Sequence, residues 1–291
     1  MSLSSLLERL SPMAMMQENG TEKARIAIKL LEKKASQESL SSGLAEGRGL
    51  HVLVQTMVLH PEPSLRQGAC SILSAVLHEG EHSKEFLFAA QSARLSQGLQ
   101  RVLHEEDRKT KPNEGEQAID PDLPLRRIAL SALACYVRKS REVLDDPVTA
   151  STIISAAGSS DLILRREGLR LALSLAKDQE TLPKIVSAVD TNADKAAPAL
   201  LRAWDGDASG DDKSDHTVRE NVVQLMRLLL PSKALRDHLA WNGAIDAIKN
   251  AKESELSSGP LGPMLDEIHS WLSLAPSPPD ETPEGTAEED A

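Results

Sequence analysis

The chain has 291 residues and a net charge of −11, with 40% apolar but only 2% aromatic residues. Its core must be built from Ala, Leu, Ile and Val, which suit closely packed helices better than a β-sandwich. A chain this acidic is repelled by phosphate, which argues against a duplex nucleic-acid binder.

No stretch reaches the roughly 20 consecutive apolar residues that a membrane span needs. The first residues lack the basic leader of a signal peptide, since Glu8 and Arg9 interrupt a short apolar segment. We therefore expect an intracellular protein without a membrane partner. A cytoplasmic location is the prediction, and a nuclear one stays open.

Residues 1–20 are expected to form an N-terminal capping segment. Residues 3–10 predict a short helix that Ser11 and Pro12 close. A second helix is predicted over about 21–35. Apolar residues recur there at helical spacing at Ala24, Ile28, Leu31 and Ala35.

The apolar run over residues 50–59 would permit a strand on composition alone. Gly49 precedes it, and Pro61 and Pro63 follow it, so we interpret it as a buried helix.

One helical phrase then occurs four times, over residues 64–77, 124–137, 163–176 and 217–230. In each copy an apolar residue precedes an arginine, and a small or slim residue and an apolar residue follow three and four positions later. The arginines are Arg66, Arg126, Arg165 and Arg219. An amphipathic helix that recurs in this way buries its apolar face against its neighbouring copies, which predicts a stack of repeats. We interpret the arginines as helix-end and inter-repeat partners, with a single basic groove as the alternative.

Two cysteines, Cys70 and Cys135, lie inside the repeated helices. This position predicts buried free thiols in a reducing compartment.

Two further phrases place Leu-Ala before a glycine and an apolar helix. They begin at Leu44 and Leu239 and contain Gly49 and Gly243. The glycine lets the chain turn sharply between two closely packed helices. The predicted unit is therefore an anchored helix, a polar turn and a second, apolar helix.

These anchored helices and glycine junctions resemble the armadillo-repeat family over roughly residues 20–275, and the HEAT family shares the anchored helix. The resemblance implies an all-α, right-handed superhelical solenoid of three-helix units, here expected over residues 21–275. The anchors lie 60, 39 and 54 residues apart, whereas an armadillo unit has about 40 residues. The two long gaps therefore predict insertions.

Charged segments without apolar periodicity fill these gaps at 104–123 and 205–215. Both predict surface loops. Residues 276–291 carry six acidic residues, no basic one and several prolines, which predicts a disordered acidic tail.

Residues 78–82 match the H-E-x-x-H pattern in which two histidines of one helix face grip zinc. A zinc hydrolase with Glu79 as the general base is the remote alternative that this match supports. In repeat register, however, the segment falls at the turn after the anchored helix, where Gly80 is typical of a helix end. We therefore predict no metal ligand, no cofactor and no catalytic residue.

Residues 205–210 resemble the start of a calcium-binding loop. The twelfth position, which should be a bidentate glutamate, is His216. An acidic surface loop is the better interpretation.

The three tryptophans, Trp204, Trp241 and Trp271, are predicted to seal helix junctions. Armadillo importins, in contrast, line their groove with Trp and Asn that recur along the third helix of successive units. In this chain Trp241 and Asn242 are adjacent and occur once, so binding of nuclear signals is not indicated.

The predicted function is a non-catalytic scaffold or adaptor that binds a peptide or helix of another protein in the concave groove of the solenoid. We expect the groove residues on the last helix of each unit, namely His51, Gln55, Gln97, Gln100, Arg101, Asp246 and Lys249. The alternative is a co-chaperone, either a nucleotide exchange factor or a client-folding cofactor of a heat-shock chaperone. It follows from likeness of architecture alone, and would make a chaperone or its client the partner.

Overall fold

A computed structural model describes residues 1–36, 40–46, 48–79, 83–104, 122–205, 212–253 and 261–276. Within these ranges the secondary structure is helical and contains no strand. Most of the two predicted insertions, and nearly all of the predicted tail, lie outside the described residues.

The helices form a capping group followed by five units. The capping group contains α1 (Leu3–Glu8), α2 (Pro12–Met15) and α3 (Gly20–Ala35). Each unit has a first, a middle and a third helix. The units are α4 (Ser41–Ala45), α5 (Gly49–Leu59) and α6 (Pro63–His78); α7 (Lys84–Ser92), α8 (Leu95–His104) and α9 (Leu123–Lys139); a 3₁₀ turn (Arg141–Asp145), α10 (Pro147–Ala157) and α11 (Leu162–Ala176); α12 (Leu182–Thr191), α13 (Ala193–Asp205) and α14 (Asp212–Leu229); and α15 (Lys233–Trp241), α16 (Ala244–Glu253) and α17 (Gly262–Leu272).

The helices predicted from the sequence are confirmed. Helix α5 covers the apolar run that composition alone would allow as a strand, and the four repeated phrases lie in α6, α9, α11 and α14. Helix α14 begins at Asp212, inside the segment 205–215 that we expected to be a loop. Cys70 and Cys135 are both buried and free, as predicted.

The order of helices within a unit differs from the prediction. The anchored helix packs against the helix that precedes it, α6 against α5 and α11 against α10, and so it ends its unit instead of opening it. The arginine explains this order. Nε of Arg66 donates to the carbonyl of Met57 at 3.0 Å, and this carbonyl belongs to the last turn of α5, where no intrahelical donor remains.

Arg165 makes a similar contact two units further along. It is only 3% exposed, and its guanidinium donates to the carbonyls of Ser159 and Ser160 at 2.9 and 3.1 Å, just beyond α10. The interpretation of the arginines as helix-end and inter-repeat partners is therefore confirmed for Arg66 and Arg165.

The helices lie in two rows with the core between them. The third helices α3, α6, α9, α11, α14 and α17 pack side by side in chain order, and the middle helices α5, α8, α10 and α13 form the second row. The buried side chains form one continuous cluster from Leu6 to Leu272, made mainly of Leu, Ala, Val and Ile. Each unit therefore touches mainly its neighbours, as in a solenoid.

The small residue of the repeated phrase marks a place where backbones meet. A Cβ atom on Gly168 of α11 would lie 2.7 Å from the amide nitrogen of Ala157 and 2.8 Å from the carbonyl carbon of Ala156 in α10. On the other side of α10, a Cβ atom on Gly158 would lie 2.6 Å from Cα of Ala199 in α13. The C-terminal end of α10 is thus in backbone contact with α11 and with α13.

The two junction glycines have different roles. Gly243, between α15 and α16, has a φ of +86°, which side chains rarely adopt. At Gly49 the need is for space, because a Cβ atom there would lie 2.9 Å from Cδ2 of Leu44 and 3.0 Å from Cδ1 of Leu7.

Replacing Gly168 with alanine should destabilise the protein by about 1–3 kcal/mol, as expected for overpacking. Alanine favours a helix by only about 1 kcal/mol, and the new Cβ atom meets backbone that cannot rotate away. Urea denaturation followed by circular dichroism measures the difference. Ser174→Ala, at an exposed position of the same helix, is the control and should stay within about 0.5 kcal/mol of the wild type. Equal stability of both variants would contradict the backbone contact.

Replacing Arg165 with methionine should lower the free energy of unfolding by about 2–4 kcal/mol, because the carbonyls of Ser159 and Ser160 lose their charged donor. The neighbouring Arg166→Met is the matched control, since Arg166 is exposed, and should change stability by less than about 0.5 kcal/mol. The same denaturation experiment compares the two. Similar losses in both variants would show that the capping contact contributes little.

Candidate binding surface

The residues predicted to line the groove lie on middle helices, because the anchored helix ends each unit. His51 and Gln55 are on α5, Gln97, Gln100 and Arg101 are on α8, and Asp246 and Lys249 are on α16. Helices α5 and α8 are neighbours, whereas α10 and α13 stand between α8 and the last unit. The structure therefore brings the first two groups together and leaves the third apart.

Gln100 is a correction to this set. It is only 5% exposed, and its side-chain amide donates to Oγ1 of Thr149 at 2.7 Å and to Oδ2 of Asp146 at 3.4 Å. Gln100 therefore joins α8 to α10 inside the stack, and its side chain cannot contact a partner.

The other predicted residues are exposed or half-buried. His51 lines an open cavity of about 910 Å³ between α5 and α7, beside Phe88, whose side chain is 72% exposed. Asp246 and Lys249 form a loose ion pair with 4.0 Å between Oδ1 and Nζ. Their part in binding stays a prediction.

The exposed side of the third helices forms a second and more regular surface. In α6, α9, α11 and α14 the positions one, five, eight or nine, and twelve residues after the anchor arginine share one helix face, and these helices are neighbours in chain order. We call this surface the third-helix stripe. Its exposed and half-buried members include Gln67, Ser71, His78, Arg127, Ser131, Arg138, Arg166, Arg170, Ser174, Lys177, Glu220, Gln224 and Arg227.

Charge changes along the stripe. The part on α6 has small or uncharged side chains such as Gln67 and Ser71. The part on α9 and α11 is basic, and we call its four residues the basic section: Arg138, Arg166, Arg170 and Lys177. Arg170 pairs with Glu167 at 2.8 Å, whereas the other three have no ion-pair partner within the part of the chain that the structure describes.

Arg127, also on the stripe, is engaged in the stack. Its guanidinium binds both carboxylate oxygens of Asp161 across the boundary between two units, at 3.2 and 2.5 Å. Burial works against ionisation of Asp161, but the hydrogen bond from Arg127 and that from the amide of Leu164 leave the pKa of Asp161 below its usual value. The same contact raises the pKa of Arg127. This pair therefore fixes α9 against the start of α11.

The zinc-like segment does not continue α6. His78 is the last residue of that helix and Glu79 is its C-cap, while residues 80–82 lie outside the described residues. Nδ1 of His78 lies 2.7 Å from the carbonyl oxygen of Ser74, and Nε2 lies 3.1 Å from Sγ of Cys135. A carbonyl only accepts, so Nδ1 carries the proton and Nε2 accepts from the thiol. Both ring nitrogens of His78 thus have hydrogen-bond partners within the chain itself.

Burial raises the pKa of the Cys135 thiol, although Arg138 and Lys139 act in the opposite direction. Among the residues that the structure describes, no group of three or more His, Cys, Asp and Glu side chains is gathered as a metal site would require. Of the calcium-like segment 205–210, only Asp205 lies within the described residues.

The tryptophans have separate surroundings. Trp204 is buried on α13. Trp241 donates from Nε1 to the carbonyl of Pro276 at 2.9 Å, which holds the chain beside α15 after α17 has ended. Trp271 is 42% exposed, and the guanidinium carbon of Arg236 lies 4.8 Å from its ring centre.

Sequence reasoning missed the third-helix stripe, although its signal was present. The arginine of the repeated phrase fixes the register of each helix, and the exposed positions follow from it. The order of helices within the unit was not evident from the sequence. For this reason the predicted groove residues lie on the middle helices instead of the third helices.

Comparison with known proteins gives no match to a family model and none to a curated protein. Solved structures do match. A computationally designed armadillo repeat protein for modular peptide recognition is 13% identical, with a TM-score of 0.55, over 92% of this chain and 99% of that one. A designed armadillo repeat protein in complex with the peptide (KR)4 is 13% identical, with a TM-score of 0.53, over 94% of this chain and 100% of the other.

An engineered protein is similar to the same degree, with 13% identity and a TM-score of 0.54 over 94% of this chain and 99% of its own. At this level of identity the likeness concerns the fold. The two helical rows and the anchored third helices, together with these matches, show that the chain is an all-α solenoid with the armadillo-like helical repeat fold.

Proposed function

We propose that the protein is a non-catalytic interaction scaffold that binds a peptide or helix of another protein along the third-helix stripe. The observation that carries this proposal is the register of the stripe, whose exposed side chains line up over four successive third helices. A stack of repeats presents such a surface at full length, which suits an extended partner. The designed protein in complex with (KR)4 is an example of this fold with a bound peptide.

The chemistry of the stripe favours a particular kind of partner. Five residues after the anchor the stripe carries Ser71, Ser131, Arg170 and Gln224, none of which is Trp or Asn. The basic section would repel a cationic peptide such as (KR)4. We therefore expect a partner segment that is neutral at one end and acidic where it crosses α9 and α11.

The middle helices provide the second surface to be tested. His51, Gln55, Gln97, Arg101, Asp246 and Lys249 remain our sequence-based prediction for it. No feature of either surface favours the co-chaperone or the zinc hydrolase. Helices long and apolar enough to cross a membrane are absent from the described ranges.

Selection from a random peptide display library on the immobilised full chain tests this proposal. Selected peptides should bind the Arg166→Glu/Arg170→Glu variant at least tenfold more weakly than the wild type, about 1.4 kcal/mol, because two favourable charges on the stripe become repulsive. The matched control is Arg101→Glu/Lys249→Glu, a double reversal on the middle helices, which should change Kd less than about twofold. Fluorescence anisotropy measures the three dissociation constants.

Circular dichroism checks that all three chains fold alike. If the control variant loses binding and the stripe variant keeps it, the site lies on the middle helices as predicted from the sequence. If neither variant loses binding, the proposal for the stripe is wrong.

A further inference from the structure

The net negative charge of this chain is carried by residues outside the described ranges. Of the 44 acidic residues, 17 lie outside the described ranges, but only 3 of the 33 basic residues do, so the described part has a net charge of +3. Residues 277–291 alone contain six acidic residues and no basic one. The described residues are therefore weakly basic, and the remaining residues account for the net charge of −11 of the chain.

The basic section is the place on the third helices where positive charge is least compensated. Arg138, Arg166 and Lys177 lack an ion-pair partner among the described residues. Carboxylates close to it in the sequence are already engaged: Asp161 with Arg127, and Asp178 with Arg141 at 2.8 Å. The section therefore presents guanidinium and ammonium groups that a further set of carboxylates can bind.

The described chain ends at Pro276, shortly after α17. The third helices run parallel, since contacts between neighbouring units join corresponding ends, as in the Arg66–Asp122 ion pair at 3.5 Å and the Arg127–Asp161 pair. Helix α17 is the last of them, so the chain leaves at the end of the row where Lys177 and Arg138 lie on α11 and α9. The hydrogen bond from Trp241 to the carbonyl of Pro276 holds the end of the described chain beside α15, the first helix of the last unit.

The length of this segment is sufficient. Three helix-to-helix spacings of about 8–10 Å separate α17 from α9, which makes about 30 Å. Fifteen extended residues span about 50 Å at ~3.3 Å each. All six acidic residues lie within the segment, so several of them can reach α11 and α9 at once.

We propose that the acidic segment 277–291 binds in cis to the basic section of the third-helix stripe. Carboxylates pair with the guanidinium groups of Arg138, Arg166 and Arg170, and tethering supplies an effective concentration on the order of millimolar, so that a weak contact is well populated. A partner that uses the same section has to displace the segment first. The inference uses the surface of the proposed function but does not depend on the existence of a partner.

The test uses the full chain and a labelled synthetic peptide of residues 277–291. In the neutralised chain the six acidic residues are replaced by their amides, as Asp280→Asn, Glu281→Gln, Glu284→Gln, Glu288→Gln, Glu289→Gln and Asp290→Asn. Anisotropy should show that the peptide binds this chain at least tenfold more tightly than the wild type, because no tethered competitor remains. The difference should disappear at about 0.5 M salt, where charges are screened.

Two variants in the neutralised chain locate the contact. Arg166→Ser/Arg170→Ser should weaken peptide binding at least tenfold, whereas the matched pair Arg101→Ser/Lys249→Ser on the middle helices should leave it nearly unchanged. Equal losses in both pairs would mean unspecific attraction and overturn the proposal, as would equal binding to the wild-type and neutralised chains.

Protein concentration separates the two possible sources of the competing segment. Competition that grows with the concentration of the wild-type chain would place the segment on a second copy and overturn binding in cis. Failure of the peptide to bind, while library-selected peptides still require Arg166 and Arg170, would refute this inference and leave the proposed function intact.

Discussion

The solenoid depends on a buried arginine that reaches back to the end of the preceding helix. A buried guanidinium is tolerated only when its donors are satisfied, and the last carbonyls of a helix lack donors of their own. Arg66 and Arg165 satisfy both needs at once. Each is nearly buried and donates to carbonyls at the end of a middle helix. The contact joins a middle helix to a third helix in the first unit and again in the third unit.

Much of the fold was predictable because its signals are local. The phrase around each anchor arginine gave the third helices, and the glycine and proline positions gave helix α5. The order of helices within a unit was not predictable in this way, because an amphipathic helix shows that it has a buried face but not which neighbour covers it. Arg66 resolves this only when its acceptor, Met57, is known.

The error at Gln100 has the same origin. Gln100 has the polarity of a surface residue, but its acceptor Thr149 is 49 positions away. His78 looks like a metal ligand in a short motif, but Cys135, 57 positions away, occupies one of its ring nitrogens. Contacts across such distances leave no mark in a single sequence. The separation of charge between the stack and the acidic segments was, in contrast, readable from composition once the helices were located.

Backbone contact around α10 has a mechanical consequence. A solenoid bends when side chains between adjacent units slide past each other, but Gly158 of the third unit and Ala199 of the fourth meet with no larger side chain between them. Sliding there would force main-chain atoms into overlap. The boundary between the third and fourth units is accordingly a point at which the solenoid resists bending.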